Sequence, residues 1–234
     1  MKLKVLGSSS SGNCYLLESE KSALIIEAGV KLKKIKIALD FEIAKVVGCI
    51  VTHWHEDHSK YVFEYMKSGI KVYAPDWIRG PCIEHKKLFY LDAFRIVPLK
   101  VPHNKPSFCF LIDHKECGTV LFATDLHYLP YKIQGLNQIL IEANYDQKIL
   151  DENVINGKLL PFVRANIIQS HMSIDTVKGI MKSNDLTRVN NIVLIHLSNG
   201  NSDAKRFKSE IRELTGKKVT IAEEGLEIEF NKSI

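Results

Sequence analysis

Nothing in this 234-residue chain marks a disulfide scaffold, a membrane span or a secreted leader. Its five cysteines (Cys14, Cys49, Cys82, Cys109 and Cys117) are odd in number, scattered and never in a C-x-x-C pair. That spacing argues against a disulfide framework and against a cysteine-type structural zinc site; buried thiols are the expectation. No apolar run approaches the ~20 residues a bilayer span needs. The opening Met1–Leu6 reads as a first strand and not as a signal peptide. A cytoplasmic protein without membrane association is therefore expected. Internal repeats, low-complexity blocks and linkers are also missing, so one domain over residues 1–234 is expected, long enough to bury a sizeable core.

What is present is an ordinary globular composition, 45% hydrophobic and 25% charged, with a net charge of +5. The positive balance suits a polyanionic or phosphate-bearing partner without requiring one. Lysines crowd the run Lys31–Lys36, where apolar residues at 30, 32, 35, 37 and 39 indicate an amphipathic surface helix. A solvated lysine face is preferred there over a nucleic-acid patch.

Short β-type runs dominate the first half, at 2–6, 14–18, 23–27, 47–52, 88–91, 95–101, 107–112 and 119–123, with helical stretches near 30–39 and 58–68. The second half alternates. A strand at 138–142 leads into helical or irregular chain, then a helix near 173–182 with Ser173 as N-cap. A strand at 191–195 precedes a helix near 202–215, capped by Ser202 or Asp203, and strands at 218–221 and 226–230 close the chain. Mixed strands with helices outside suggest two sheets packed face to face and covered on both sides, an α/β architecture.

The most informative segment is Thr52-His53-Trp54-His55-Glu56-Asp57-His58, directly after the apolar run Val46–Val51. Imidazole nitrogen and carboxylate oxygen suit borderline-soft divalent metals, zinc above all. In a turning segment His53 and His55 fall on one side, while Asp57 and His58 curl to a second point nearby. Further candidates also close apolar strands: His103 after 94–102, Asp125 after 119–124 and His196 after 192–195. The carboxyl ends of strands are where α/β sheets place their chemistry. Five histidines and two aspartates suffice for two ions.

In order and strand context these seven residues match the ligand set of the metallo-β-lactamase superfamily. Gly7–Cys14, Ile26–Gly29, Ala123–Asp125, Glu142–Asp146, Ser170–Ser173 and His196–Ser198 further resemble its YycJ-like branch. The resemblance implies an αββα sandwich of two mixed β-sheets flanked by helices. It places His53, His55 and His103 on one metal, Asp57, His58 and His196 on the other, and Asp125 between them. Two divalent ions are implied, Zn2+ first, with Mn2+ or Fe2+ compatible. The family usually has Asp where this chain has Glu27; that acid orients the metal loop, so its extra methylene bears on fine geometry.

Two residues beyond the ligand set point to the reaction. Glu142 ends the run 138–141, and His171 follows 166–170. A histidine held by a carboxylate is a suitable general acid, because the carboxylate fixes its tautomer and raises its pKa. The pair resembles the proton shuttle of tRNA-processing RNase Z-type enzymes. The expected chemistry is hydrolysis of a nucleotide phosphodiester by a metal-bridging hydroxide. Asp57 helps to hold that hydroxide, and His171 with Glu142 serves as the shuttle.

The substrate is either nucleic-acid ends, as in a YycJ-like nuclease, or 3′,5′-cyclic nucleotides, as in compact phage enzymes that degrade immune signals. A thioester or lactone hydrolase and a non-catalytic metal-binding regulatory protein are the alternatives. Ser11 and Asn13, in the serine-rich turn 8–13, are expected to touch substrate phosphate. Trp54, Trp77 and Tyr128 are expected to be exposed for base stacking. The segment around 150–164 could serve a homodimer or a lid.

Overall fold

The computed structural model describes residues 1–76 and 80–232. The chain opens with β1 (Lys2–Ser9), β2 (Gly12–Glu18), β3 (Ala23–Ile26), α1 (Leu32–Ala38) and β4 (Val46–Ile50). Next come α2 (Glu56–Ser59), α3 (Val62–Lys67), β5 (Val72–Tyr73), β6 (Phe89–Leu91), β7 (Phe94–Val101), β8 (Ser107–His114) and β9 (Gly118–Ala123). The remainder is β10 (Leu136–Glu142), α4 (Gln147–Ile155), α5 (Pro161–Ser170), α6 (Ile174–Ser183), β11 (Asn191–Ile195), α7 (Ala204–Thr215), β12 (Lys218–Ile221) and β13 (Glu227–Glu229).

The strands form two mixed sheets, one in the order β13-β1-β2-β3-β4-β5 and the other β12-β11-β10-β9-β8-β7-β6. β3, β4 and β5 run parallel, as do β9, β10, β11 and β12, while the other pairs are antiparallel. Side-chain alternation assigns the central strands to two apolar layers at once. In β2, Tyr15 and Leu17 enter the core between the sheets, and Cys14 and Leu16 enter the layer under α1 and α3. In β11, Val193 and Ile195 point inward, and Ile192 and Leu194 face α6 and α7. Both faces are buried, which is why these strands read as unbroken apolar runs. The result is the expected αββα sandwich.

The strand and cap expectations agree closely with the structure, and four details differ. The single helix near 58–68 is two short ones, because the Tyr61 N–H leaves the helical ladder to donate to the Ala28 carbonyl. The undivided chain before 173 forms α4 and α5. Asp146 caps α4 by accepting from Ile149 N–H at 3.0 Å, and Pro161 opens α5. Asp203, not Ser202, caps α7. β5 was not expected. Four of the five cysteines are buried, Cys82 is exposed, and all are free thiols. No helix of the described residues is long and apolar enough to cross a membrane.

Candidate metal centre

The carboxyl ends of β3, β4, β7, β9, β10 and β11 converge, and the side chains singled out in the sequence meet there. His53, His55, His103 and Asp125 form one group, and Asp57, His58, Asp125 and His196 a second; within each group the potential ligand atoms all lie within 4.8 Å of one another. Asp125 belongs to both. Its Oδ2 stands 3.6 Å from His53 Nε2 and 3.5 Å from His58 Nε2, between the two groups.

Three observations fit divalent ions. His55 Nδ1 lies 2.9 Å from His53 Nε2 and 3.2 Å from His103 Nε2. Ligand nitrogens ~2.0–2.1 Å from a tetrahedral ion sit about 3.3 Å apart, close to these separations. Second, His196 Nε2 is buried without a hydrogen-bond partner, only 3.3 Å from Asp57 Oδ2. Third, Glu27, Asp125 and Glu142 are buried carboxylates beside half-buried Asp57. Among the described residues they pair with histidines only, with no lysine or arginine. Buried anionic charge of this density needs cations.

The titration tendencies divide the imidazoles. Burial pushes His103 down to about 4 and holds His53 well below the ordinary imidazole range, leaving both neutral, the form that ligates metal. Burial also opposes charge on His58 and His196, but Asp125 leads the neighbouring carboxylates that lift both well above that range. Burial pushes Asp57 and Asp125 upward, and their histidine neighbours more than offset it, holding both carboxyls below the usual range. The second group therefore asks for positive charge, as protons or as a metal.

Outer residues fix the rings. Thr52 Oγ1 donates to Glu27 Oε1 at 2.5 Å and accepts from His53 Nδ1 at 2.9 Å, so His53 presents Nε2. Glu27 Oε1 stands 3.3 Å from His58 Nδ1, which directs His58 Nε2 toward Asp57 and Asp125. The glutamate's extra methylene is thus accommodated. Glu27, Asp125 and His196 all have left-handed backbones, with φ of 70°, 50° and 53°. Such conformations cost ~1–3 kcal/mol in non-glycine residues and concentrate at functional sites.

Glu142 joins the centre to His171. Its Oε1 accepts from His171 Nδ1 at 2.6 Å and from His196 Nδ1 at 2.9 Å, and its Oε2 accepts from Met172 N–H at 3.2 Å. Burial disfavours charge on His171, but the Glu142 carboxylate raises its pKa above the ordinary value. His171, His196, Ser9, Ser10 and Asn144 line a cleft of about 320 Å3.

The structure buries Asn13, half-buries Trp54 and sets Ser11 beside the His171 cleft. Asn13 is fully buried; its amide donates to Asp57 Oδ2 at 3.0 Å and lies 3.1 Å from His58 Nε2, so it braces the centre. Ser11 does not line the His171 cleft, whose turn residues are Ser9 and Ser10. Trp54 is half-buried against the α1–α3 layer, with its indole N–H donating to the Pro75 carbonyl at 2.6 Å. Tyr128 is 50% exposed, as expected. Trp77 lies outside the described residues. Thr52 and Ser8, whose Oγ accepts from His196 N–H at 3.0 Å, were not anticipated. Adjacency to the histidines was the only sequence signal for Thr52.

This fold and paired ligand geometry define the class: the chain has the metallo-β-lactamase fold. Residues 9–77 match the family described as the metallo-beta-lactamase superfamily. Among individual proteins, the chain is similar to exodeoxyribonuclease WalJ of Streptococcus pneumoniae serotype 2 (strain D39 / NCTC 7466), 26% identical over 226 residues and covering 86% of this chain and 83% of the relative. The metallo-beta-lactamase fold protein YhfI of Bacillus subtilis aligns over 97% of this chain and 99% of its own, with a TM-score of 0.75 and 18% identity. The short form of human tRNase Z aligns over 98% and 99%, with a TM-score of 0.62 and 15% identity.

Proposed function

We propose that this protein is a metal-dependent phosphodiesterase that hydrolyses nucleotide phosphodiester bonds, with nucleic-acid ends as its substrate. The observation that carries the reading is the His171–Glu142–His196 relay at the mouth of the ligand cluster. A thioester expels a thiolate that needs no such acid, whereas a ribose alkoxide departs poorly unless protonated. Similarity to an exodeoxyribonuclease over most of the chain supports the polymer over the cyclic nucleotide.

In this reading His53, His55, His103 and Asp125 hold one ion, and Asp57, His58, Asp125 and His196 the other, Zn2+ being the ion these nitrogens favour. Such ions would supply an acidified water and compensate phosphate charge. Asn13 and Glu27 keep Asp57 and His58 in place. His171, with Nδ1–H held by Glu142, carries its labile proton on Nε2 and delivers it to the departing oxygen. The same reading places the protein in the cytoplasm, consistent with its free thiols. It forms a homodimer through α4, α5 and the turn between them, which expose Ile155, Leu160 and Phe162.

The test sets metal-loaded protein against end-labelled single- and double-stranded DNA and RNA, and against a panel of 3′,5′-cyclic nucleotides. A His53→Ala/His55→Ala variant controls for contaminating nucleases. Stepwise loss of labelled polymer with intact cyclic nucleotides is expected. The reverse pattern would make the substrate a cyclic nucleotide, and inactivity on both with two ions bound would refute phosphodiester chemistry.

A further inference from the structure

Three hollows run end to end across the β1–β2 turn. The His171 cleft shares Ser9 and Asn199 with a middle hollow of about 270 Å3, which in turn shares Ser11, Val30 and Lys34 with a groove of about 450 Å3. Gly29, Lys31, Lys33, Lys34, Ile37 and Tyr61 line that groove. Its floor is built on the metal centre's own backbone. The Gly29 N–H donates to the Asn13 carbonyl at 2.9 Å, and a Cβ at Gly29 would lie 1.8 Å from the Asp57 carbonyl oxygen. Two acids, Glu223 and Glu224, line the middle hollow, and Lys34 pairs with Glu224 at 2.5 Å. Lys31 and Lys33 are exposed, and neither forms an ion pair among the described residues.

We propose that this groove binds single-stranded nucleic acid beyond the scissile bond, with Lys31 and Lys33 on backbone phosphates and the Tyr61–Ile37 floor under a base or sugar. The inference rests on the phosphodiesterase reading and extends it to a polymer that runs from the His171 cleft over Ser11. Ammonium groups rimming an apolar floor are the combination that holds single strands without sequence preference. A cyclic nucleotide in the His171 cleft would not reach the groove. Continuity with the cleft favours a strand over an anionic membrane surface, which exposed Ile37 and Phe41 would otherwise suit.

The test measures binding of a phosphorothioate-linked fluorescent oligothymidylate to metal-loaded protein across a salt series. Turnover of bis(p-nitrophenyl) phosphate is followed in parallel. Lys31→Gln/Lys33→Gln should make the slope of log affinity against log salt shallower by about 1.4, at ~0.7 per phosphate contact, or about 25-fold weaker binding at 0.1 M salt. Turnover of the small diester should not change. A control pair, Lys115→Gln/Lys208→Gln, lines none of the three hollows and should have a smaller effect. Equal affinity and slope in the groove variant would overturn the proposal. Wild-type binding to phosphatidylserine vesicles but not to the oligonucleotide would overturn it in favour of a membrane surface. Hydrolysis of the small diester without oligonucleotide binding overturns the groove alone. Groove-dependent binding without hydrolysis of either phosphodiester upholds the groove and refutes the enzymatic reading.

Discussion

Replacing His171 with alanine separates proton delivery from metal binding, because its ring hydrogen-bonds Glu142 and none of the seven ligand residues. The substitution removes one of the acceptor's partners, the 2.6 Å bond from His171 Nδ1. It leaves the 2.9 Å bond from His196 Nδ1 and the 3.2 Å bond from Met172 N–H. Glu142 therefore stays hydrogen-bonded, His196 keeps its orientation, and metal content should match the wild type. A positioned general acid contributes about 10^2–10^4-fold, so hydrolysis of an alkyl leaving group, such as a DNA nucleoside, should slow by about that factor. p-Nitrophenolate departs without a proton, so bis(p-nitrophenyl) phosphate should be hydrolysed at nearly the wild-type rate. The pH profile adds a second readout. His171 acts protonated and its pKa is raised by Glu142, so activity on DNA should fall as pH rises through that raised value, above the ordinary ~6.5. The descending limb should vanish in the variant. Equal losses on both substrates with full metal content would refute the proton-delivery argument.

Chelation should abolish activity and lower thermal stability. An ion at a thousand times its Kd stabilises the fold by about 4 kcal/mol, which calorimetry with and without metal would show as a lower Tm in the apo protein. In His53→Ala/His55→Ala, elemental analysis should find the loss concentrated in one of two bound ions. Gly29→Ala drives a methyl to 1.8 Å from the Asp57 carbonyl oxygen and 2.5 Å from Asn13 N, so the loop must move. Denaturant titration should show a loss of about 1–3 kcal/mol or more, accompanied by weaker metal binding. Thr52→Val leaves Glu27 and His53 without their shared hydroxyl, and about 1–3 kcal/mol of stability should be lost. Wild-type stability in that variant would mean that Thr52 does not hold the ring.

How much of this protein is legible in its sequence follows from how local each signal is. Apolar runs ending in His53, Asp125, Glu142 and His196 marked both the strands and the sheet edge that carries the chemistry, because a strand with two buried faces leaves its reactive residue at its end. The caps at Ser173 and Asp203 were equally local. Trp54 was misjudged because an aromatic between two histidines reads as exposed. Its half-burial depends on Pro75 and on the helices that pack over it.

By itself, then, the sequence determined the chemical inventory, the strand ends that carry it and the class of sandwich that brings those ends together. Only the tertiary structure decided which residues share a carboxylate. Glu142 serves His171 and His196 across 29 and 54 positions of chain, and Asn13 is turned inward to Asp57 across 44. It also decided the left-handed backbones at Glu27, Asp125 and His196, which aim their side chains into one volume. Those conformations are unfavourable locally and persist because both sheets and their outer layers are packed around them.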